Sequence, residues 1–514
     1  MILNEIRKIK VTVYPTRIKV ENYQKGFSSA LEKYLSVWDR IYFKYSYHAY
    51  IYDEEKEIMI FPAGINIPLL IQSLKNHGEV DFQDYRLKYD NFKKDENYDI
   101  TMNFKPRDLL QTEAINFLNY KGYNEPDCQK LLSLNTGEGK TFCSLKSIID
   151  RNLIPLIFVS NNKLKEQWVD KIKEYTSVED DRIFIFQGKS SIKKFLNMDD
   201  EAKDKIKFFI VLYRTLKNFI NEDRQGFDNL ITSANIGVKV FDEAHLDFKS
   251  LSFIDMMIDL PSIYLSATPE RSNKFENQVF NNIFYQVPKF SSNNITKRDK
   301  KLIPDRYHNV VMVRHTSKPT EVDKADFIKA SAKKGLDINH YCKYLMDSDI
   351  KQENFFDLVF EILNEVIMKD DVKKTVIMFK QKAMIEGFYT YLYNKIGEEG
   401  IKFLKCIRYH EDVSKTEKDK LMDSNLILTT DLSLGVGVDI PGLKALLNTI
   451  PLTSESKIIQ IMGRLRYIKN EDLFYYDLVD HGFEKLVTQA NNRLNKVYKK
   501  KAVSIIDCNL KSRK

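Results

Sequence analysis

From residue 131 to residue 478 the chain returns repeatedly to apolar runs of three to six residues, each closed by turn residues and separated from the next by helical stretches. The first series falls at 131–134, 156–159, 183–186, 208–212, 238–241 and 263–265. The second falls at 310–313, 375–379, 426–428, 445–447 and 473–478. A run that is apolar at every position needs cover on both faces. A parallel sheet between two layers of helices supplies that cover, so the expected class is α/β with two parallel sheets in tandem. A polar link at 291–305, rich in Ser, Asn and Lys, divides the two series.

The first hundred residues follow another pattern. Residues 9–20 alternate like one strand. Residues 47–52 and 58–61 flank Asp53-Glu54-Glu55-Lys56 as the arms of a hairpin would, and Pro68 opens a short helix reaching Leu74. A length of 514 residues suits about three domains. The expected organisation is a small α+β accessory domain at 1–100, α/β domains at 101–300 and 301–490, and a basic tail at 491–514 that includes Lys499-Lys500-Lys501.

Hydrophobic residues make up 43% of the chain, too many for a disordered polymer. The net charge of +8 is compatible with a polyanionic partner without requiring one. Arg7, Lys8, Lys10, Arg17 and Lys19 read as a solvated strand face, and their interleaving with apolar residues argues against a signal peptide. The most apolar stretch, 58–71, is broken by Pro62, Gly64, Asn66 and Pro68, so no membrane span is expected. Five cysteines, odd in number and without a C-x-x-C pair, argue for reduced thiols in a cytoplasmic setting.

Five segments carry chemistry. Residues 131–141, L-L-S-L-N-T-G-E-G-K-T, run from a strand through a glycine turn into a helix. Glycines let backbone N–H groups approach phosphates, and a helix N-terminus favours their charge. Thr136, Gly137, Glu138 and Gly139 would form the cradle, Lys140 would hold the β- and γ-phosphates of ATP, and Thr141 would ligate Mg²⁺. The fuller pattern has glycine where Leu134 stands. Residues 238–245, V-K-V-F-D-E-A-H, end a strand on an acidic pair: Asp242 to hold Mg²⁺ and Glu243 to orient the attacking water. Ser266-Ala267-Thr268-Pro269-Glu270-Arg271 follows the next strand, where small hydroxyls could bridge to the acidic motif. The remaining two are T-T-D-L-S-L-G-V-G-V-D-I-P at 429–441 and Q-I-M-G-R-L-R at 460–466, the latter expected on a helix. Arginine suits the charge on a transferring phosphoryl group.

In this order the five segments resemble the superfamily-two helicases and translocases, over roughly 105–485. The resemblance implies two RecA-like domains with ATP bound between them, and it implies roles for further residues. Phe104, Arg107 and Gln111 would read the adenine, although Arg107 lies one residue farther from Gln111 than expected. Gly437 and Asp439 would contact the nucleotide from the second domain, and Gln460, Arg464 and Arg466 would act on the triphosphate. Arg466 follows Arg464 by two residues where the family has three, so either could be the finger. Ser160, Asn161, Lys163, Tyr213, Arg214, Thr215, Lys380, Gln381, Thr429 and Thr430 would line the nucleic-acid track, with Glu166-Gln167-Trp168 beside its first loop. Such loops grip phosphates and carry little sequence information.

The extra N-terminal domain and the G-V-D-I-P form are similar to phage recombination helicases that remodel branched DNA, and to related repair helicases. The expectation is a monomeric, ATP- and Mg²⁺-dependent motor on branched, forked or duplex DNA, cytoplasmic, in the host if phage-encoded. An RNA helicase or transcript-release factor is the alternative, followed by a restriction-type translocation subunit. A non-catalytic nucleic-acid-binding module would be expected to have lost some of Lys140, Thr141, Asp242, Glu243, Gln460 and Arg464, all of which are present.

Overall fold

The computed structural model describes residues 7–39, 42–86, 94–120, 128–135, 137–267, 274–292, 306–334, 336–368, 372–435, 440–468 and 470–509. Two compact units are distinct, residues 1–300 and 301–514.

The first unit opens with Lys8–Val13 (β1), Arg17–Glu21 (β2), Ser36–Asp39 (β3), Lys44–His48 (β4), Ile51–Asp53 (β5), Ile58–Pro62 (β6) and Glu79–Asp84 (β7). Five of these form one sheet in the order β5-β6-β2-β1-β7, while β3 and β4 pair only with each other. The single strand expected over 9–20 is two strands. Pro15 lacks an N–H for the ladder, and the chain reverses there, with Tyr14 N–H donating to the Arg17 carbonyl at 2.8 Å. The hairpin around 53–57 forms as β5 and β6, and the helix at Pro68 is Ile67–Lys75, capped by Asn66.

Seven strands follow in the same unit: Gln129–Ser133 (β8), Pro155–Val159 (β9), Ile183–Phe186 (β10), Phe208–Leu212 (β11), Val238–Phe241 (β12), Ser262–Ser266 (β13) and Lys289–Ser291 (β14). They form one wholly parallel sheet, β10-β11-β9-β12-β13-β8-β14. The second unit holds His308–His315 (β15), Thr375–Phe379 (β16), Cys406–Tyr409 (β17), Leu426–Thr430 (β18), Ala445–Asn448 (β19), Leu473–Asp480 (β20) and Ala502–Asn509 (β21). Their order is β17-β18-β16-β19-β20-β15-β21, again all parallel. Counted from its own first strand, each sheet reads 3-4-2-5-6-1-7. No sequence repeat announces this duplication, because buried β-branched runs are interchangeable. The molecule therefore carries two RecA-like α/β domains in tandem, the first with a small α+β region at its N-terminus.

Three strands of the two seven-stranded sheets escape the sequence reading, as do β3 and β7 of the N-terminal region. β14 has three residues, and β17 has only its first two residues buried. β21 is a largely exposed edge following Lys499-Lys500-Lys501. The segment expected as a basic tail is thus helix through Arg493, π-helical over Leu494–Tyr498, and then strand, as far as it is described. Arg493 is buried against Asp477 at 2.8 Å, which anchors that segment rather than leaving it solvated.

Within the first unit the N-terminal sheet and the seven-stranded sheet share one apolar core, in which Ile9, Val11, Val13, Phe61 and Leu70 are continuous with Phe158, Phe241 and Tyr264. A buried polar knot fastens them. Lys239, inside β12 and wholly inaccessible, donates to Asp255 Oδ1 at 2.6 Å, the Ile258 carbonyl at 2.7 Å and Thr16 Oγ1 at 3.4 Å. Asp255 also accepts from Ser262, Tyr264 and Gln129. Arg17 reaches Asp259 at 2.6 Å. Removing one member of a buried ion pair costs about 3–5 kcal/mol, because the other charge is left uncompensated. Asp255→Ala is therefore expected to lower unfolding free energy by about that amount in urea titration; a loss near zero would mean that Lys239 is already neutral.

Candidate active site

All strands of the first sheet are parallel, so their carboxyl ends share one edge, where α/β sheets bind ligands. The loop after β8 reaches the helix Lys140–Asp150, with Gly139 as N-cap at φ +96° and Gly137 at φ +87°. A Cβ on Gly139 would lie 2.3 Å from Gln111 Nε2, so glycine is required for both backbone and space. Lys140 Nζ donates to the Leu134 carbonyl at 2.9 Å, an internal bond that a phosphate would replace. The Glu138 carboxylate accepts the Asn135 N–H at 2.6 Å and is also bonded by Ser292 Oγ, which pins the loop. Gln111, on a helix capped by Asp108, is buried against the loop: its Nε2 donates to the Glu138 carbonyl at 3.3 Å, and its Oε1 accepts the Arg107 N–H at 2.8 Å. The Arg107 guanidinium pairs with Asp108 at 3.0 Å. Phe104 is half exposed, edge-on to Tyr175. Thr141 opens the helix, partly exposed.

β12 delivers the acidic pair to the same edge. Asp242 is buried: Trp168 Nε1–H donates to its Oδ2 at 2.9 Å and the Glu243 N–H to its Oδ1 at 2.9 Å. Burial and the neighbouring Glu243 carboxylate push Asp242 up to about 7. Glu243 holds φ +46°, a left-handed conformation that a residue with a Cβ rarely keeps unless its surroundings enforce it. Its Oε2 is buried without a hydrogen bond, although His245 Nδ1 lies 3.4 Å away. Two close carboxylates, one protonating near neutrality and one with an orphaned oxygen, are the donor set that a hard cation would satisfy. His245 Nδ1 bonds Ser266 Oγ at 3.0 Å, so the serine that ends β13 links to the acidic motif. Thr136 and residues 268–271 lie outside the described residues.

The strand-end loops resolve into exposed and buried members. Asn161 caps the helix Asn162–Tyr175, accepting the Leu164 N–H at 2.9 Å, with Ser160 and Lys163 partly exposed beside it. Arg214 is exposed and Thr215 partly so. Tyr213, expected on the nucleic-acid track, is buried between Phe158 and Phe241 and donates to the Asp242 carbonyl at 3.2 Å. Trp168, expected near the same track, is buried on Asp242. Both are positioning residues for the acidic motif, and an apolar strand with an indole one helix away was the only sequence signal for that. A hydrogen bond to a charged group contributes about 1.5–3 kcal/mol. Trp168→Phe removes a donor that favours the ionised carboxylate, so the Asp242 pKa should rise further. The acidic limb of the ATP-hydrolysis profile should then move up by about one pH unit or more; an unmoved limb would show that Asp242 does not set it.

The second unit repeats the arrangement at equivalent strand ends. Lys380 and Gln381 follow β16, as Ser160 and Asn161 follow β9; Thr430 ends β18 at the position corresponding to Leu212 in β11. Lys380 Nζ lies 3.2 Å from the buried Asp431 Oδ2, which Lys457 also contacts. Gln381 is the N-cap residue of the helix Lys382–Phe403 and is partly exposed. Thr429, expected on the track, is wholly buried, its hydroxyl bonding the Tyr409 carbonyl at 2.7 Å. Thr430 Oγ1 accepts the Ser433 N–H and is also buried. Gly437 and Asp439 lie outside the described residues. Gln460 is on the helix Glu455–Met462, but Arg464 and Arg466 are past its end. Gly463 caps it, and the next two N–H groups turn back to the Ile461 and Met462 carbonyls at 3.0 Å. The expected helical phase between the arginines therefore does not apply; Arg464 is 9% exposed and Arg466 is exposed.

Residues 103–271 match the family model described as type III restriction enzyme, res subunit, and residues 358–467 match the helicase conserved C-terminal domain. UvrABC system protein B of Mannheimia succiniciproducens is 29% identical over 168 residues, 30% of this chain and 24% of that protein. The Pasteurella multocida protein of that name is 28% identical over 168 residues. The match spans about a quarter of the length of these curated relatives. Mss116p bound to ssRNA and AMP-PNP has the same fold, with TM-score 0.52 over 79% of this chain and 75% of that one at 13% identity. T4 UvsW aligns over 98% of this chain and 99% of its own, at 12% identity and TM-score 0.33. Among the described residues no helix is long and apolar enough to cross a membrane. With both family models matched in order on two sheets of identical topology, the chain belongs to the superfamily-two helicases.

Proposed function

We propose that this chain is an ATP-dependent DNA helicase and translocase that remodels branched substrates, migrating junctions, reversing forks and unwinding duplex as it steps. In this reading Gly137, Glu138, Gly139 and Lys140 hold the ATP phosphates, and Phe104, Arg107 and Gln111 its base. Gln460, Arg464 and Arg466 act on the triphosphate. Glu243, whose buried Oε2 makes no hydrogen bond, orients the attacking water and accepts its proton. Thr141 and Asp242 would hold Mg²⁺, which neutralises phosphate charge when bound. Ser160, Asn161, Lys163, Arg214 and Thr215 of the first unit and Lys380 and Gln381 of the second grip the phosphate backbone in turn, so that nucleotide-driven motion becomes stepping.

One observation favours branched DNA. The N-terminal sheet shares its core with the motor domain, and Thr16 is bonded to the strand that carries the acidic motif's neighbour Lys239. A small domain built rigidly into a motor moves with it as a wedge, displacing one strand or arm while the motor tracks another.

The experiment compares ATPase stimulation and strand rearrangement on single-stranded DNA, duplex, a four-way junction, a fork and an RNA–DNA hybrid. The expected result is the greatest rearrangement on the junction and fork, with affinity falling as salt rises through counterion release. Equal activity on all DNA forms, or preference for the hybrid, overturns the branched-DNA reading.

A further inference from the structure

The N-terminal region carries a feature that neither ATP turnover nor phosphate tracking uses. β3 and β4 form an isolated antiparallel ribbon with register Ser36↔His48, Val37↔Tyr47, Trp38↔Tyr45 and Asp39↔Lys44. One face anchors it: Val37 is buried, and Tyr47 packs edge-on against Phe248 while its hydroxyl donates to the Lys249 carbonyl at 3.1 Å. Regular alternation would place Tyr45 on that anchored face with Tyr47. The register instead shifts by one residue between Val37 and Trp38, so Tyr45 pairs with Trp38 and takes the opposite face.

The shift builds a row of rings on the free face. Trp38 meets Tyr45 edge-on at 5.0 Å between centroids, Tyr45 meets His48 tilted at 5.6 Å, and His48 abuts Tyr50, which itself packs on the core, at 4.9 Å. Ser36 Oγ and His48 Nδ1, 2.7 Å apart, fix the imidazole in line. Beyond the row, Tyr42 and Phe43 are 69% and 78% exposed. Phe43 holds φ +48°, a strained backbone for a bulky residue. Lys44 lies over the Tyr42 ring at 6.0 Å, and the charges of Lys25 and Glu32 both act on His48. Asp39 is engaged by the Tyr42 N–H at 3.1 Å. A two-stranded ribbon gains little from exposed aromatics, which favour association and aggregation. Flat rings in a row with flanking cations are the chemistry that receives unpaired bases and their phosphates.

We propose that the free face of this ribbon, Trp38, Tyr45 and His48 with Tyr42 and Phe43 beyond them, is a stacking platform for unpaired nucleotides displaced by the motor. The proposal rests on the nucleic-acid reading above and adds where single-stranded bases go.

Trp38 is one of only two tryptophans, and the other, Trp168, is buried, so Trp38 emission reports the platform directly. The full-length protein is titrated with an oligodeoxythymidine and with an abasic oligomer of equal length, following tryptophan emission and the anisotropy of a labelled strand. The expected result is quenching by the base-bearing strand and none by the abasic one. Trp38→Phe should abolish the quench. Tyr45→Ala should weaken oligodeoxythymidine binding about tenfold, at unchanged melting temperature, and Tyr45→Phe should restore it. If the wild type binds the strand and its ATPase responds, yet emission does not change and Tyr45→Ala binds normally, the platform is refuted while the helicase reading stands; the face would then suit a protein partner. If the wild type neither binds nor responds to any nucleic acid, both proposals fall.

Discussion

Glu243→Gln is expected to slow ATP turnover about 10²- to 10⁴-fold while leaving ATP bound, because it removes a general base and keeps the side-chain volume. The structure makes this residue special in two ways. Its backbone is held at φ +46°, and its buried Oε2 makes no hydrogen bond, with His245 Nδ1 3.4 Å away. A carboxylate oxygen kept unsatisfied beside Asp242 is costly, and the neutral amide relieves the repulsion that raises the aspartate. The variant should therefore be at least as stable as the parent, should bind nucleotide at least as tightly, and should accumulate ATP rather than ADP in a single-turnover quench. Turnover at the parental rate would move the water-orienting role to another residue.

Lys140→Ala is expected to reduce turnover by about 10²–10³-fold through loss of a charge aimed at the transferring phosphate. It should differ from Glu243→Gln in losing nucleotide affinity as well. Among the described residues Lys140 Nζ donates to its own loop, at the Leu134 carbonyl, so truncation costs the fold little. An unchanged melting temperature with abolished nucleotide binding is the predicted pair of results. Undiminished turnover would refute the phosphate-loop role.

Much of the first unit's edge was legible because its chemistry is local. A glycine that must hold positive φ, a lysine at a helix N-terminus and an acidic pair ending a buried strand are each fixed by near neighbours, and Gly139, Lys140, Asp242 and Glu243 gather accordingly. The buried partners were not legible. Trp168 and Tyr213 read as residues of strand-contacting loops, yet tertiary packing turns both inward to hold Asp242. Thr429 reads as a hydroxyl available to a backbone, but a parallel neighbour, β17, consumes it. That strand was itself invisible, since C-I-R-Y is apolar only in its first half. Likewise Q-I-M-G-R-L-R has a helical look until Gly463 ends the helix. The ribbon's ring row depends on a one-residue register shift that no periodicity reveals.

We propose that Arg464 and Arg466 act on the transferring phosphoryl group of ATP. Arg464→Ala and Arg466→Ala, made singly and compared with Arg464→Lys, test it through ATP binding and single-turnover hydrolysis on one preparation. The account predicts near-parental ATP affinity with hydrolysis reduced about 10³-fold or more in at least one alanine variant, at a melting temperature that shows the fold intact. Parental hydrolysis in both alanine variants would contradict it.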